Sequence, residues 1–505
     1  MSGFRGLPAL TVELGGTALP ATELRSLSSV RVQQRLSLPT LCELIFVDPR
    51  GALASQGVAP GTTLRVSTAA QVEPLFTGEV TGIEYAHAAG GPREVRVRGY
   101  DLLHRLRKRQ PVREHVQVTL QDVARELMAE LGLSVEVATP GPLWRQLIQH
   151  GQSDLDFLVE LADRCGVYVV LRDGAVRLVT LEGEGEPLPL LLGETLLEAT
   201  VEMNGEPACR EVSADGWDPL MARHHSARAS QPRQGRRVGV EVPPALLGSP
   251  GERTLVNELA EGDSHAEAAA QAELDHRSAR EVVLTALAEG DARLRPGTRV
   301  EVRGITSAVS GRYVLTAVTH VLDAQRGFVS ELSSEPPPRR GRTRTSGATL
   351  GVVSRVDDPE GLGRVRATLP AYGGVETEWM QVLSAGAGAG RGLVMLPDVG
   401  DQVLLILVDG DPSRGVVMGG LFGEHAPTDP GIEGGAVRRY SARTAQGHKL
   451  VLDDAGLTLR LEDATGSYLE LKPSGMRLHS KVPLDIEAPG QPVVIRGDSI
   501  DFRRG

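Results

Sequence analysis

The sequence predicts a mainly β chain with some α, built from several domains and ending in a self-assembled β-rod. Three observations predict it. The stretch Arg443 to Phe502 alternates apolar and polar residues with a period of two. Turn signals recur within it about every ten residues with no helical pattern between them. Helical spacing of apolar residues is confined to a few windows upstream.

From Gly475 onward, Met476, Leu478, Val482, Leu484 and Ile486 share one parity, and Arg477, His479, Lys481, Asp485 and Glu487 take the other. That is a strand with one dry and one wet face. Upstream, Leu457, Leu459 and Leu461 alternate with Thr458, Arg460 and Glu462, and Leu469 and Leu471 flank Glu470. The runs are separated by Asp453-Asp454-Ala455-Gly456, Asp463-Ala464-Thr465-Gly466 and Lys472-Pro473-Ser474-Gly475. A few strands with one bare apolar face are marginal in water. The same face on further copies of the chain, in closed symmetry, is the expected cover. The apolar set Leu457, Leu459, Leu461, Met476, Leu478, Val482, Leu484 and Ile486 is therefore expected to form the stem core.

The totals fit this plan. A chain of 505 residues is long enough for three or more domains. Hydrophobic residues make up 41% but aromatics only 3%, so cores must come from Leu, Val and Ala. A net charge of −11 argues against nucleic acid as a partner. Cys42, Cys165 and Cys209 form no CxxC pair, which speaks against a disulfide framework or a zinc site. The start MSGFRGLPALTVEL lacks a basic segment followed by an apolar one, so synthesis in the cytoplasm without a signal peptide is expected.

Taken in order, residues 1 to about 100 read as β-rich, with runs such as Ser29–Gln33, Cys42–Val47 and Arg93–Tyr100 between Gly and Pro turns. Thr119 precedes a helix carrying Leu120, Val123, Leu127 and Leu131, which Gly132 stops. A second helix runs from Ser153 to Gly166, and the strand Val167–Leu171 follows it. Residues 187–260 are mixed, with a polar, basic and mobile stretch expected from Arg223 to Arg237. A polar-capped, Ala-rich helix begins near Asp263 and runs through Ala279, and strands continue to Glu331. Residues 336–347, with Pro336, Pro337, Pro338 and several arginines, read as a stiff, solvated linker. Residues 348–425 hold five short expected strands: Leu350–Val356, Gly363–Leu369, Leu393–Leu396, Asp401–Val408 and Gly415–Gly419. By size they match an oligonucleotide-binding (OB) type barrel.

Longer segments carry a resemblance. HGQSDLDFLVELADRCGVYVVL (150–171) and RLRPGTRVEVRGITSAVSGRYVLTAVTHVLD (293–323) resemble the hub of VgrG and phage late-control D proteins. Gln152 stands where that family usually has Glu, and His150 where it has an aromatic residue. GRVRATLP (363–370), residues 379–422 and RTAQGHKLVLDD (443–454) resemble the family's spike barrel and stem. The order over nearly all of the chain is similar to VgrG-type spikes of contractile injection systems. The resemblance implies a hub over 1–335, a linker over 336–347, an OB-fold barrel over 348–425 and a β-stem over 436–505. It implies a homotrimer whose stem is a trimeric β-helix or β-prism. Its implied partners are the inner tube protein, baseplate proteins, a PAAR-type tip protein on the last strands at Ile500 and Phe502, and effector cargo. It implies a mechanical role, joining tube to baseplate and piercing a target membrane, with no cofactor. Gly435 follows Gly419 within sixteen residues, so no lysozyme-like insertion is expected there, and the stem is expected to be short, with no extra domain after Gly505. A fused hub and barrel on such a stem fits an extracellular phage-tail-like particle. The alternatives are a type VI secretion spike carrying effectors and a phage tail spike.

The residues that could carry chemistry read otherwise on inspection. No HExxH, GxSxG or phosphate-loop motif occurs. Ala385 to Gly392 is glycine-rich but misses the GxGxxG spacing, and it reads as a barrel loop. Asp398 and Asp401 flank a turn rather than a cleft. Glu273 and His276 have the i, i+3 spacing of a carboxylate-bridged pair, but with no second such pair they read as solvated helix surface. His224-His225, His448 and His479 are read as surface residues. An enzyme on a β-scaffold is the rival from another class, and it would need a nucleophile or carboxylate pair that these positions do not supply.

Overall fold

The alternation in the first hundred residues becomes sheet, but a sheet that these residues do not complete alone. The computed structural model describes residues 10–49, 53, 58–69, 71–137, 140–221, 223–339 and 346–503. They divide into two compact units, Met1–Gly420 and Leu421–Gly505. In the first unit, strand Leu27–Arg35 turns Val30 and Val32 inward and Arg31 outward. It pairs antiparallel with Leu41–Val47 on one side and with Ala317–Asp323 on the other, where Val321 lies opposite Arg31. The result is an eleven-stranded sheet running from Leu196–Met203 at one edge to Thr17–Ala18 at the other. Val30, Leu44, Phe46 and Val97 share their core with Leu322, so the two ends of the hub sequence bury one another.

The helices start and stop where their caps say. Thr119 Oγ1 accepts from the Asp122 N–H while Asp122 accepts from the Thr119 N–H at 2.9 Å, a reciprocal cap that opens helix Leu120–Ala129. Ser153 caps helix Asp154–Arg164 in the same sense. Gly166, at φ 65°, ends it, and a Cβ there would lie 2.8 Å from Ala272 Cα, so only glycine fits. Both helices bury their apolar stripes with Trp144, Val169 and Val176 in one core. The third expected helix spans Asp263–Ala279, but Gly262 precedes it and no side chain caps it, contrary to the polar cap expected. It covers one face of a three-stranded sheet of Arg223–Ala229, Glu211–Asp218 and Glu252–Leu259. The stretch expected to be mobile therefore begins as a strand, with His224 opposite Trp217.

The barrel segment forms a six-stranded sheet, ordered Val375–Glu376, Arg366–Leu369, Gly347–Arg355, Gln402–Leu407, Gly415–Leu421 and Gln381–Val382. Leu393–Leu396 is not one of its strands, a correction to the sequence reading. A continuous apolar run carries no period-two information, and Pro397 supplies no N–H for a ladder. The four side chains are exposed. The Pro-rich connector is not free of the hub over its described part. The Pro337 carbonyl accepts from His276 Nε2 at 3.1 Å, and Arg339 pairs with Glu273 at 3.0 Å. The remainder of the expected linker, 340–345, lies outside the described residues.

The second unit holds the short hairpin Ile432–Glu433 with Ala436–Val437 and a five-stranded antiparallel meander: Arg439–Arg443, Lys449–Asp453, Thr458–Glu462, Tyr468–Lys472 and Gly475–His479. The expected strand from Gly475 stops at His479 instead of running to Ile486. Ser480 Oγ donates to the Val482 carbonyl at 2.6 Å, a local turn, and Pro483 removes the next ladder donor.

Candidate functional site

The meander's register sorts its side chains completely by face. Opposed residues of an antiparallel pair point to the same side. One row across the sheet is Ala442, Leu450, Leu461, Leu469 and Leu478; the next is Tyr440, Leu452, Leu459, Leu471 and Met476. Every member is apolar or aromatic. The other side carries charge. Lys449 meets Glu462 at 3.3 Å, Arg460 meets Glu462 at 2.9 Å and Glu470 at 3.0 Å, and Lys472 meets Glu470 at 2.9 Å. Arg460 also lies over the Tyr468 ring, 3.9 Å from its centroid. A hydrogen bond from Arg460 holds the Glu462 carboxyl below the ordinary carboxylate range, and Lys472 does the same for Glu470.

The two faces are thus in opposite states. The charged face is satisfied within the chain, while the apolar face is bare, with Met476 69% and Leu478 58% exposed. Covering a half-exposed leucine removes enough apolar surface to contribute about 1 kcal/mol, and eight of these ten residues are in that condition. Such a face offers apolar area for another surface to cover.

Of the expected stem core, Leu459, Leu461, Met476 and Leu478 lie on this face. Leu457 sits in the turn before Thr458 with φ 45°, and Val482, Leu484 and Ile486 lie past the last strand, all exposed. Ile500 and Phe502 are also outside any strand, with Phe502 88% exposed. The sequence reading missed Leu450 and Leu452 as members, although they alternate with Lys449, Val451 and Asp453. It also missed Tyr440 and Ala442, which only the pairing reveals.

The other candidates are occupied structurally. The Asp398 N–H donates to Asp401 Oδ2 at 2.8 Å, so these carboxylates shape a turn. Glu273 and His276 are not the solvated surface expected: Glu273 accepts from Arg277 Nε at 2.6 Å, and both residues hold the connector. His224 and His225 face Asp215 and Asp263 at 3.3 and 2.9 Å. His448 lies in a turn, and His479 stacks near Tyr468 on the charged face with centroids 4.9 Å apart. Among the described residues no group of three His, Cys, Asp or Glu is placed to hold a metal, and no helix is long and apolar enough to cross a membrane. Cys42, Cys165 and Cys209 are buried and form no disulfide with one another.

Comparison with known proteins agrees with this architecture. Residues 6–324 match the family model of the Alg8 N-terminal domain. The chain belongs to that family. In this Alg8-family chain, residues 349–422 match a second model, the type VI secretion system/phage-baseplate injector OB domain. No curated protein sequence matches it. Among solved structures, the E. coli c3393 protein, described as a type VI secretion component similar to T4 tail proteins gp27 and gp5, aligns with TM-score 0.55 at 15% identity, over 81% of this chain and 99% of that one. The Francisella PdpA-VgrG complex in its half-lidded form aligns with TM-score 0.55 at 8% identity, over 95% of this chain and 89% of that one. The Alg8-family chain therefore has the mainly β fold of a VgrG-type hub and spike with an OB domain.

Proposed function

We propose that this chain is the structural central spike of a contractile injection particle and works as a homotrimer. The bare apolar face of the stem sheet carries the reading: ten aligned apolar positions with a satisfied charged reverse make sense when further copies cover them. The hub would join the inner tube to the baseplate, and the barrel and stem would form the needle. A PAAR-type tip protein would sit on the end that carries Ile500 and Phe502. Sheath contraction supplies the work, and the chain transmits it without chemistry of its own. Interwoven copies suit that task, because withdrawing one would uncover the apolar seam and break many main-chain hydrogen bonds together.

An extracellular phage-tail-like particle is the setting the reading favours. The test is to isolate sheathed particles from culture supernatant and locate the chain by labelling. A label at the tube tip inside the baseplate supports the reading; label absent from particles, or spread along the sheath, opposes it.

A further inference from the structure

Hub and barrel are joined in sequence by a connector rich in Pro, Arg and Gly, which would ordinarily let two domains move independently. The structure assigns them instead to one cooperative body, because the hub supplies part of the barrel's core. At the end of strand Glu211–Asp218 the fully buried Asp218 carboxylate accepts from the Leu220 N–H at 2.9 Å and the Met221 N–H at 3.3 Å. That turn lifts Leu220 out of the hub. Its side chain, 3% exposed, lies in the cluster of Val353, Val365, Met380, Leu405 and Val417 rather than with any hub core. The barrel returns the contact through Gln381 Nε2, which donates to the Leu220 carbonyl at 3.3 Å.

Two bridges flank this plug. Glu261 accepts from the Arg145 N–H through one carboxylate oxygen at 2.8 Å and from Arg414 of the barrel through the other at 2.9 Å. Both side chains of the Glu261–Arg414 pair are almost fully buried. Gln146 Nε2 donates to the barrel's Glu376 carbonyl at 2.8 Å. Arg145 also donates to Asp218 at 2.6 Å, so the group that shapes the plug is tied to the strand that holds the bridge. Separating barrel from hub would leave a hole in the barrel core and strand the buried Glu261 and Arg414 charges. The joint itself does not depend on the spike reading, but its use does: a hinge here would absorb axial thrust, and a shared core passes it on.

Hydrogen exchange on the full-length chain tests this. In Leu220→Asp, amides of the barrel strands Gly347–Arg355, Arg366–Leu369 and Gln402–Leu407 are expected to lose at least about tenfold in protection, while hub strands Leu27–Arg35 and Ala317–Asp323 keep theirs. Barrel protection unchanged in Leu220→Asp would overturn the proposal, since the barrel would then stand alone. Should that variant not accumulate as folded protein, Arg414→Glu and Glu261→Arg replace it. Each alone is expected to deprotect the barrel strands, and the double variant is expected to restore them. Singles that leave barrel protection unchanged, or a double that fails to restore it, would equally overturn it. Trimer mass is a separate readout, so loss of the spike reading leaves this result interpretable.

Discussion

Glu79 shows how the hub holds a buried charge. Its carboxylate accepts from Arg105 through both oxygens, at 2.9 and 2.6 Å, and also faces His104. The hydrogen bonds from Arg105 chiefly lower its pKa from 4.5 to about 2. A carboxyl lowered on folding stabilises fully above its unfolded value, and that contribution fades as pH falls from about 4.5 toward 2. Glu79→Gln should therefore melt lower than the parent at pH 7, with the gap closing toward pH 2; a gap constant across that range in thermal melts would contradict the assignment. Asp218→Ala should cost about 3 kcal/mol in chemical denaturation, because it unpairs Arg145 and frees the turn beneath Leu220. None of this was legible in the sequence. Arg145 and Asp218 are 73 positions apart, and no local pattern says which distant carboxylate an arginine will meet.

At the scale of elements the sequence reads better, and the reasons are visible. Thr119, Ser153, Gly132 and Gly166 mark helix ends because capping is decided within a few residues. The stem's period of two is local as well, so the faces of Thr458–Glu462 and Gly475–His479 could be read, whereas Val482 to Ile486 kept the alternation around Pro483, where the ladder had already ended. Leu393–Leu396 failed because an apolar run without polar interruption says nothing about period. The faces themselves make a sharp contrast. Leu478→Asp puts a carboxylate into the row of Leu461 and Leu469, and in a trimer three such groups would meet a dry seam; trimers should be lost or melt far lower. Arg477→Asp sits opposite Glu470 on the charged face and should change stability by no more than about 0.5 kcal/mol. Equal effects in the two variants would mean that neither face is the seam.

For the whole molecule, the OB domain over 349–422 was readable from segment resemblance, but the body it is part of was not. The sequence suggests a linker between two domains, while the structure puts both in one unit, with the early strand Leu27–Arg35 paired to the late strand Ala317–Asp323. Such pairings join residues nearly the length of the hub apart, and only the fold supplies them. If the role is mechanical, as proposed, the purified assembly should also leave peptidoglycan unchanged: turnover above a heat-inactivated control would contradict that proposal. Deleting residues 436–505 should weaken self-association while leaving the eleven-stranded hub sheet folded, as circular dichroism and sedimentation would register. The most direct measurement is the native mass of the purified full-length chain at micromolar concentration. Three times the 53.8 kDa chain mass is the result expected if the bare stem face is covered by copies of itself. A stable species at 53.8 kDa, with that face still open to water, would contradict it.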